Sequence, residues 1–201
     1  VLGDKCITLW GKEYIEDELC SLRFRISPLS FYQVNPEGTE LLYGRAKEYA
    51  ALTGEETLLD LYCGAGTIGL SMAHKAKEVV GVEIVPEAIE DAKINMNLNG
   101  IENARFICGD AAEAARVLEN EGIKPDVIIL DPPRKGCSPE MINTAAQMQP
   151  DRIVYVSCDA ASLARDCALF REVGYEVQKV TAVDMFPRTI HVESVVQLIK
   201  A

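Results

Sequence analysis

The sequence predicts an α/β fold: a mostly parallel sheet with helices on both faces, closed at one edge by an antiparallel pair of strands. Three observations predict it. From residue 57 onward, short apolar runs alternate with longer segments of helical period, the pattern of right-handed βαβ crossovers. The first of these runs ends in a glycine-rich turn that opens a helix. The last two runs follow each other with no helix between them, so they pair antiparallel.

Residues 5–26 alternate apolar runs with turns (ITLW, GKEYIEDE, LRFRI) and are expected to form a hairpin or two strands. Glu37 to Ala51 turns helical, with Leu41, Leu42, Ala46 and Tyr49 at helical spacing. Strands are then expected at Thr57–Tyr62, Glu78–Glu83, Ala104–Cys108, Asp126–Leu130 and Arg152–Val156. Helices are expected over 67–76, 86–99, 111–120, 138–147 and 161–172. The closing strands are expected at about 175–183 and 191–199.

Composition narrows the function classes. The 201 residues suit one domain, and 48% hydrophobic content supplies a core. No apolar run reaches the roughly 18 residues of a membrane span, and no signal-peptide pattern opens the chain. The chain opens on Val1 and is expected to be a piece of a longer protein. Seven cysteines without a C-x-x-C pair argue against a disulfide framework or a metal site, and for a reducing, cytoplasmic compartment. A formal charge of −11 is a poor match to nucleic acid.

The first strand ends in LLDLYCGAGTIGL, where Gly64, Gly66 and Gly69 satisfy G-x-G-x-x-G between strand and helix. Glycines there let the backbone turn tightly and approach a ligand at the helix N-terminus. Glu83 ends the second strand 19 residues after Gly64, where an acid accepts hydrogen bonds from ribose hydroxyls. The glycine motif alone serves a dinucleotide or S-adenosylmethionine equally. Asp60, four residues before the first glycine, is expected beside the loop, suiting a sulfonium cation better than a pyrophosphate. Asp110 in ICGD is placed either at the adenine or as a helix N-cap.

The fourth strand runs into DPPRKG, so Asp131 falls at the same sheet edge as the glycines. Arg134 stands where amino-group methyltransferases carry a base-stacking aromatic, which disfavours that chemistry. IVYVSCD brings Cys158 to the end of the fifth strand. In His191-Val192-Glu193, strand alternation puts His191 and Glu193 on one face. A thiol, a carboxylate and a methyl donor at one edge suit a particular difficulty: carbon 5 of uracil is a weak nucleophile until a thiolate adds to carbon 6. Covalent catalysis divides that step, and a base must then remove the carbon-5 proton.

In order, DLYCGAGTIGL, DPPRKG, YVSCD and HVE resemble the RNA uracil-5 methyltransferases acting on ribosomal or transfer RNA, and SPLSFYQVN resembles the segment preceding their catalytic domain. The resemblance spans nearly the whole chain. It implies a class I S-adenosylmethionine-dependent methyltransferase with a seven-stranded sheet over residues 31–201, preceded at 1–30 by the tail of a central β domain. It makes Cys158 the nucleophile and Glu193 the base, with His191 as rival. It places Gln33 and Asp131 in the pocket, and Tyr62, Gly64, Gly66, Thr67, Glu83 and Asp110 against S-adenosylmethionine.

The substrate it implies is a uridine of 23S ribosomal RNA, with transfer RNA as the alternative. The RNA is expected to be held mostly by N-terminal domains, with no membrane and no metal in this chain. The other six cysteines (Cys6, Cys20, Cys63, Cys108, Cys137, Cys167) are read as structural. Asp159 is expected to raise the Cys158 thiol pKa, and Arg134 or Arg165 to lower it. Two rivals stay open. A cytosine-5 enzyme places its nucleophile after a proline, whereas Cys137 follows Gly136; a nicotinamide oxidoreductase shares the glycine loop but has no use for Cys158 and Glu193 together.

Overall fold

The computed structural model describes residues 7–28 and 30–201. Two short strands, β1 (Ile15–Leu19) and β2 (Leu22–Ile26), form a separate antiparallel hairpin. Its turn is Cys20-Ser21, both left-handed (φ 53° and 62°), the geometry that two-residue hairpin turns favour. The expected strand at residues 7–10 is absent: Ile7, Leu9 and Trp10 are exposed and irregular. The first strand lies instead within the expected turn segment GKEYIEDE. Cys6 lies outside the described residues.

After α1 (Pro36–Ala50), the chain alternates as the sequence predicts. β3 (Thr57–Leu61) leads to α2 (Thr67–Met72), β4 (Glu78–Glu83) to α3 (Pro86–Leu98), β5 (Ala104–Cys108) to α4 (Ala111–Glu121), β6 (Val127–Leu130) to α5 (Pro139–Gln147), and β7 (Arg152–Ser157) to α6 (Ala160–Glu172). β8 (Tyr175–Val183) and β9 (Glu193–Lys200) close the sheet. Helix α2 is shorter than expected and finishes as a 3₁₀ turn at Ala73–Lys75. Among the described residues, no helix is long and apolar enough to cross a membrane.

The seven-stranded order is β5-β4-β3-β6-β7-β9-β8, parallel from β5 to β7 and antiparallel across β9. Alternate residues feed two cores. Leu58, Val79, Ile129, Val154 and Val195 pack with α1 and α2 on one face. Leu59, Val80, Ile128, Tyr155 and Val196 pack with α4, α5 and α6 on the other. Each buried aliphatic side chain contributes roughly 1.5–3 kcal/mol. The chain winds outward from β3 to β5 and then returns to β6 beside β3, which makes the carboxyl ends of β3 and β6 a switch-point crevice.

The hairpin docks on α3 through side chains at helical spacing. Asn99 accepts from Arg23 N–H (2.9 Å) and donates to its carbonyl (2.7 Å). Asn95 does the same for Arg25 (2.7 and 3.1 Å), and Asp91 accepts from Ser27 N–H (2.9 Å). The edge of β2 turned away from β1 is thus satisfied by a helix acting as its neighbouring strand. Asn95 is fully buried and also donates to the Ala65 carbonyl (3.1 Å) in the glycine turn. Asn95→Ala leaves Arg25 N–H and two carbonyls unpaired, and is expected to cost about 2–3 kcal/mol. Urea unfolding checks this: a loss no larger than that of a surface substitution would show that the ladder does not hold the hairpin.

Candidate active site

At the end of β3 the chain needs unusual backbone. Tyr62, Gly64 and Gly66 all have positive φ (67°, 52° and 82°); for a tyrosine this is strain of the kind that collects at functional sites. The third glycine serves packing, because a Cβ at Gly69 would lie 2.8 Å from Asp60 Oδ2. Glu83 accepts from Gly64 N–H (3.2 Å), Ile84 N–H (2.8 Å) and Val85 N–H (3.0 Å), so its carboxylate is fastened to the glycine turn. Tyr62, Glu83, Ile84, Asp110 and Met141 line a cleft of about 250 Å³. An acid for ribose hydroxyls, an open left-handed glycine and an apolar slot fit a nucleoside cofactor.

Three residues read from the sequence at this edge have definite partners in the structure. Asp60 does not line the loop: it is buried beneath it and accepts from Gly69 N–H (2.9 Å). Its Oδ1 is buried with no hydrogen-bond partner among the described residues. Thr67 commits its hydroxyl to the buried Tyr43 hydroxyl (2.8 Å). Asp110 caps α4 by accepting from Glu113 N–H (2.9 Å), the N-cap read from the sequence, and also lines the cleft.

The candidate reacting groups lie at the ends of neighbouring strands. β7 and β9 pair antiparallel with Ser157 opposite Ser194; continued by one residue, that register sets Cys158 opposite Glu193. Asp131 follows β6, the other neighbour of β7. Gln33, buried, lies just before Asn35, which caps α1 and donates to the Met185 carbonyl (2.8 Å) in the β8–β9 connection. His191 falls outside β9, which begins at Glu193, so the alternation expected for the pair does not apply. Instead the His191 ring meets Arg134 Nη2 at 3.3 and 3.4 Å.

Charges set the resting state of the thiol. Burial first and Glu193 next push the Cys158 thiol up, while Arg134 pulls it down. Burial raises the Glu193 carboxyl against the opposing pull of Arg134. Burial, then Glu193 and Asp60, raise Asp131. Of the two arginines considered, Arg134 is the one that lowers the thiol, and Arg165 is taken up by Asp166 (2.9 and 2.7 Å). Asp159 does not raise the thiol; its carboxylate caps α6 through Ser162 N–H (2.8 Å). Cys63 and Cys137 are buried as expected, but Cys108 is exposed, so packing does not explain it. Sequence reasoning missed Asn95, Ser162 and Asp166, polar residues on helices that read there as solvent-facing.

The fold and this edge define a class I methyltransferase. The chain belongs to the tRNA (uracil-5-)-methyltransferase family, whose model matches residues 4–201. It is 53% identical over 201 residues to an uncharacterized RNA methyltransferase of Enterococcus faecalis and 54% identical over 198 residues to another of Halalkalibacterium halodurans. These matches cover 100% and 98% of this chain but 44% and 43% of those proteins, so the chain spans less than half the length of these relatives. The Pyrococcus abyssi tRNA (uracil-54, C5)-methyltransferase, solved with S-adenosyl-L-homocysteine, superposes with a TM-score of 0.80 at 34% identity, over 94% of this chain and 45% of that one. A methyltransferase of Agrobacterium tumefaciens shares the fold at 20% identity and a TM-score of 0.70, over 98% of this chain and 72% of that one.

Burial raises Asp60 from 3.8 to about 7. Between those values the folded state holds a proton that the unfolded chain has released. Its contribution to stability is therefore full at low pH, declines as pH rises, and is gone above about pH 7. Asp60→Asn removes that slope. Urea unfolding at pH 5 and pH 7 should show the variant gaining on the wild type by on the order of 2 kcal/mol. A constant difference would show Asp60 ionised throughout.

Proposed function

We propose that this chain is the catalytic part of an enzyme that methylates carbon 5 of a uridine in RNA, with S-adenosylmethionine as donor. The placement of Cys158 opposite Glu193, at the edge that carries the glycine turn, is the observation that supports this most. Gly64, Gly66, Glu83, Asp110, Tyr62 and the Thr67 backbone would hold the donor, and it supplies the electrophilic methyl group. Residues 1–30 belong, in this reading, to a preceding domain, and 31–201 form the catalytic one.

The Cys158 thiolate bonds to carbon 6, and the carbon 5–carbon 6 double-bond electrons move into the ring as an enolate. Carbon 5, made nucleophilic in this way, would take the donor's methyl group as the sulfur–methyl bond breaks and the sulfonium leaves as a neutral thioether. Glu193 accepts the carbon-5 proton, the double bond re-forms, and the bond from sulfur to carbon 6 breaks. A buried, raised carboxyl suits this step, because it accepts a proton more readily than a solvated one. In this reading Gln33 and Asp131 would hold the polar edge of the base, and the rise of Asp131 toward its neutral, donating form supports that role. The charge of −11 assigns most phosphate contacts to the rest of the protein.

Separable roles test this reading. With the full-length protein and RNA from a strain lacking the gene, Cys158→Ala should form no covalent adduct on a denaturing gel. Glu193→Gln should accumulate one, stalled before proton removal. An adduct with Cys158→Ala would remove the nucleophile assignment, and normal turnover of Glu193→Gln would pass the base role to His191 or water. Ribosomal and transfer RNA fractions assayed side by side decide the substrate. Calorimetry with S-adenosylmethionine and NAD decides the cofactor, and tight NAD binding alone would restore the oxidoreductase rival.

A further inference from the structure

The segment Asp131–Gly136 carries the cation of the site on a loop that should wander, since Arg134 itself is exposed. The structure instead pins its backbone at four successive residues, three of them from α6. Ser162 Oγ donates to the Arg134 carbonyl (2.9 Å). Arg165 Nη2 donates to the Lys135 carbonyl (2.7 Å). Gly136 N–H closes a turn onto the Pro133 carbonyl (2.8 Å), and Cys137 N–H donates to Asp166 Oδ2 (2.8 Å). Gly136 has φ 74°, and any Cβ there would collide with Asp166.

Asp166 is the hub of this clamp. It is completely buried, orients Arg165 through two hydrogen bonds (2.9 and 2.7 Å), and accepts from the Tyr155 hydroxyl of β7 (2.6 Å). Helix α6 begins directly after Cys158, with Asp159 as its cap. The thiol and the loop that bears its cation are therefore fastened to the same helix.

We propose that Asp166 is a positioning residue for the reaction, holding the Asp131–Gly136 loop so that the Arg134 guanidinium stays within electrostatic reach of Cys158. The inference rests on Cys158 being the nucleophile. The groups facing that sulfur are Glu193 from β9, Asp131 from the end of β6 and Arg134 from the loop, with Asp159 adjacent in the chain and His191 against Arg134. Arg134 is the one cation among them, so displacing it leaves the thiol with carboxyl groups alone and makes the thiolate harder to form.

Alkylation of Cys158 by iodoacetamide over a pH series, resolved by peptide mass, reads this directly. Cys108, exposed on edge strand β5 at the far side of the sheet, is the internal standard. Arg134→Ala and Asp166→Asn should each slow Cys158 at neutral pH by about threefold to tenfold, with Cys108 unchanged and no further slowing in the double variant. The sign is diagnostic. Removing the charge of Asp166 without moving the loop would favour the thiolate and speed the reaction.

A folded Asp166→Asn with a wild-type or faster profile overturns the proposal, as does a wild-type profile for Arg134→Ala. If Asp166→Asn does not fold, Ser162→Ala removes the hydroxyl that reaches the Arg134 carbonyl (2.9 Å) and, within its own helix cap, the Asp159 carbonyl (3.1 Å). It should slow Cys158 in the same direction by less, and a wild-type profile there counts equally against the clamp. Alkylation reports thiol ionisation and not methyl transfer, so its outcome is independent of whether uridine is the substrate.

Discussion

The site depends on the reversal of β9. Strands β3, β6 and β7 all run one way and deliver their last residues to one edge of the sheet. A further parallel strand would bring its first residue to the opposite edge, a strand length away. Because β9 enters antiparallel between β7 and β8, its first residue, Glu193, arrives where Cys158 leaves. Glu193 and Cys158 then lie one step beyond the last registered pair of the β7–β9 ladder, Ser157 opposite Ser194. That register is set by apolar alternation: slipping it by one residue would turn Val195 and Val196 to the wrong cores.

The same edge concentrates acids around little positive charge. Asp60, Asp131 and Glu193 are all pushed toward their neutral forms, chiefly by burial. In a low-dielectric crevice such groups cannot all ionise together. Burial and Glu193 raise the Cys158 thiol, while Arg134 lowers both the thiol and the Glu193 carboxyl, so the two groups share one stabilising cation.

Much of this was legible in the sequence, and for physical reasons. Parallel strands buried on both faces must be near-continuous apolar runs, so β3, β4, β6 and β7 could be read almost to the residue. Cys158 and Asp131 were legible because polar residues ending such runs have one place to go. Asp60 was misplaced because a carboxylate inside a strand was taken for a ligand contact, when its oxygen closes the gap to α2 at Gly69. The hairpin was obscured by its turn: Cys20-Ser21 lacks the glycine or asparagine that left-handed φ favours, while apolar Ile7, Leu9 and Trp10 imitate a strand and stay exposed. Asp91, Asn95, Asn99 and Asp166 carry no sequence signal at all, since a polar stripe on a helix usually faces water.

Asn95 connects two of these levels. One of its hydrogens goes to β2 and the other to Ala65, inside the glycine turn. A rigid amide satisfying both cannot follow a shift of the hairpin without releasing the turn, or the reverse. The glycine turn gains no side-chain packing from Gly64, since nothing lies within 4 Å of that residue's Cβ position. Its conformation is therefore held from outside: by Asn95 at Ala65, by Glu83 at Gly64 and by Asp60 at Gly69. The hairpin, which makes its own sheet, shares the Leu42 and Tyr43 core through Phe24 and Ile26. Through Asn95, β2 and the glycine turn are thus fastened to the same side chain of α3.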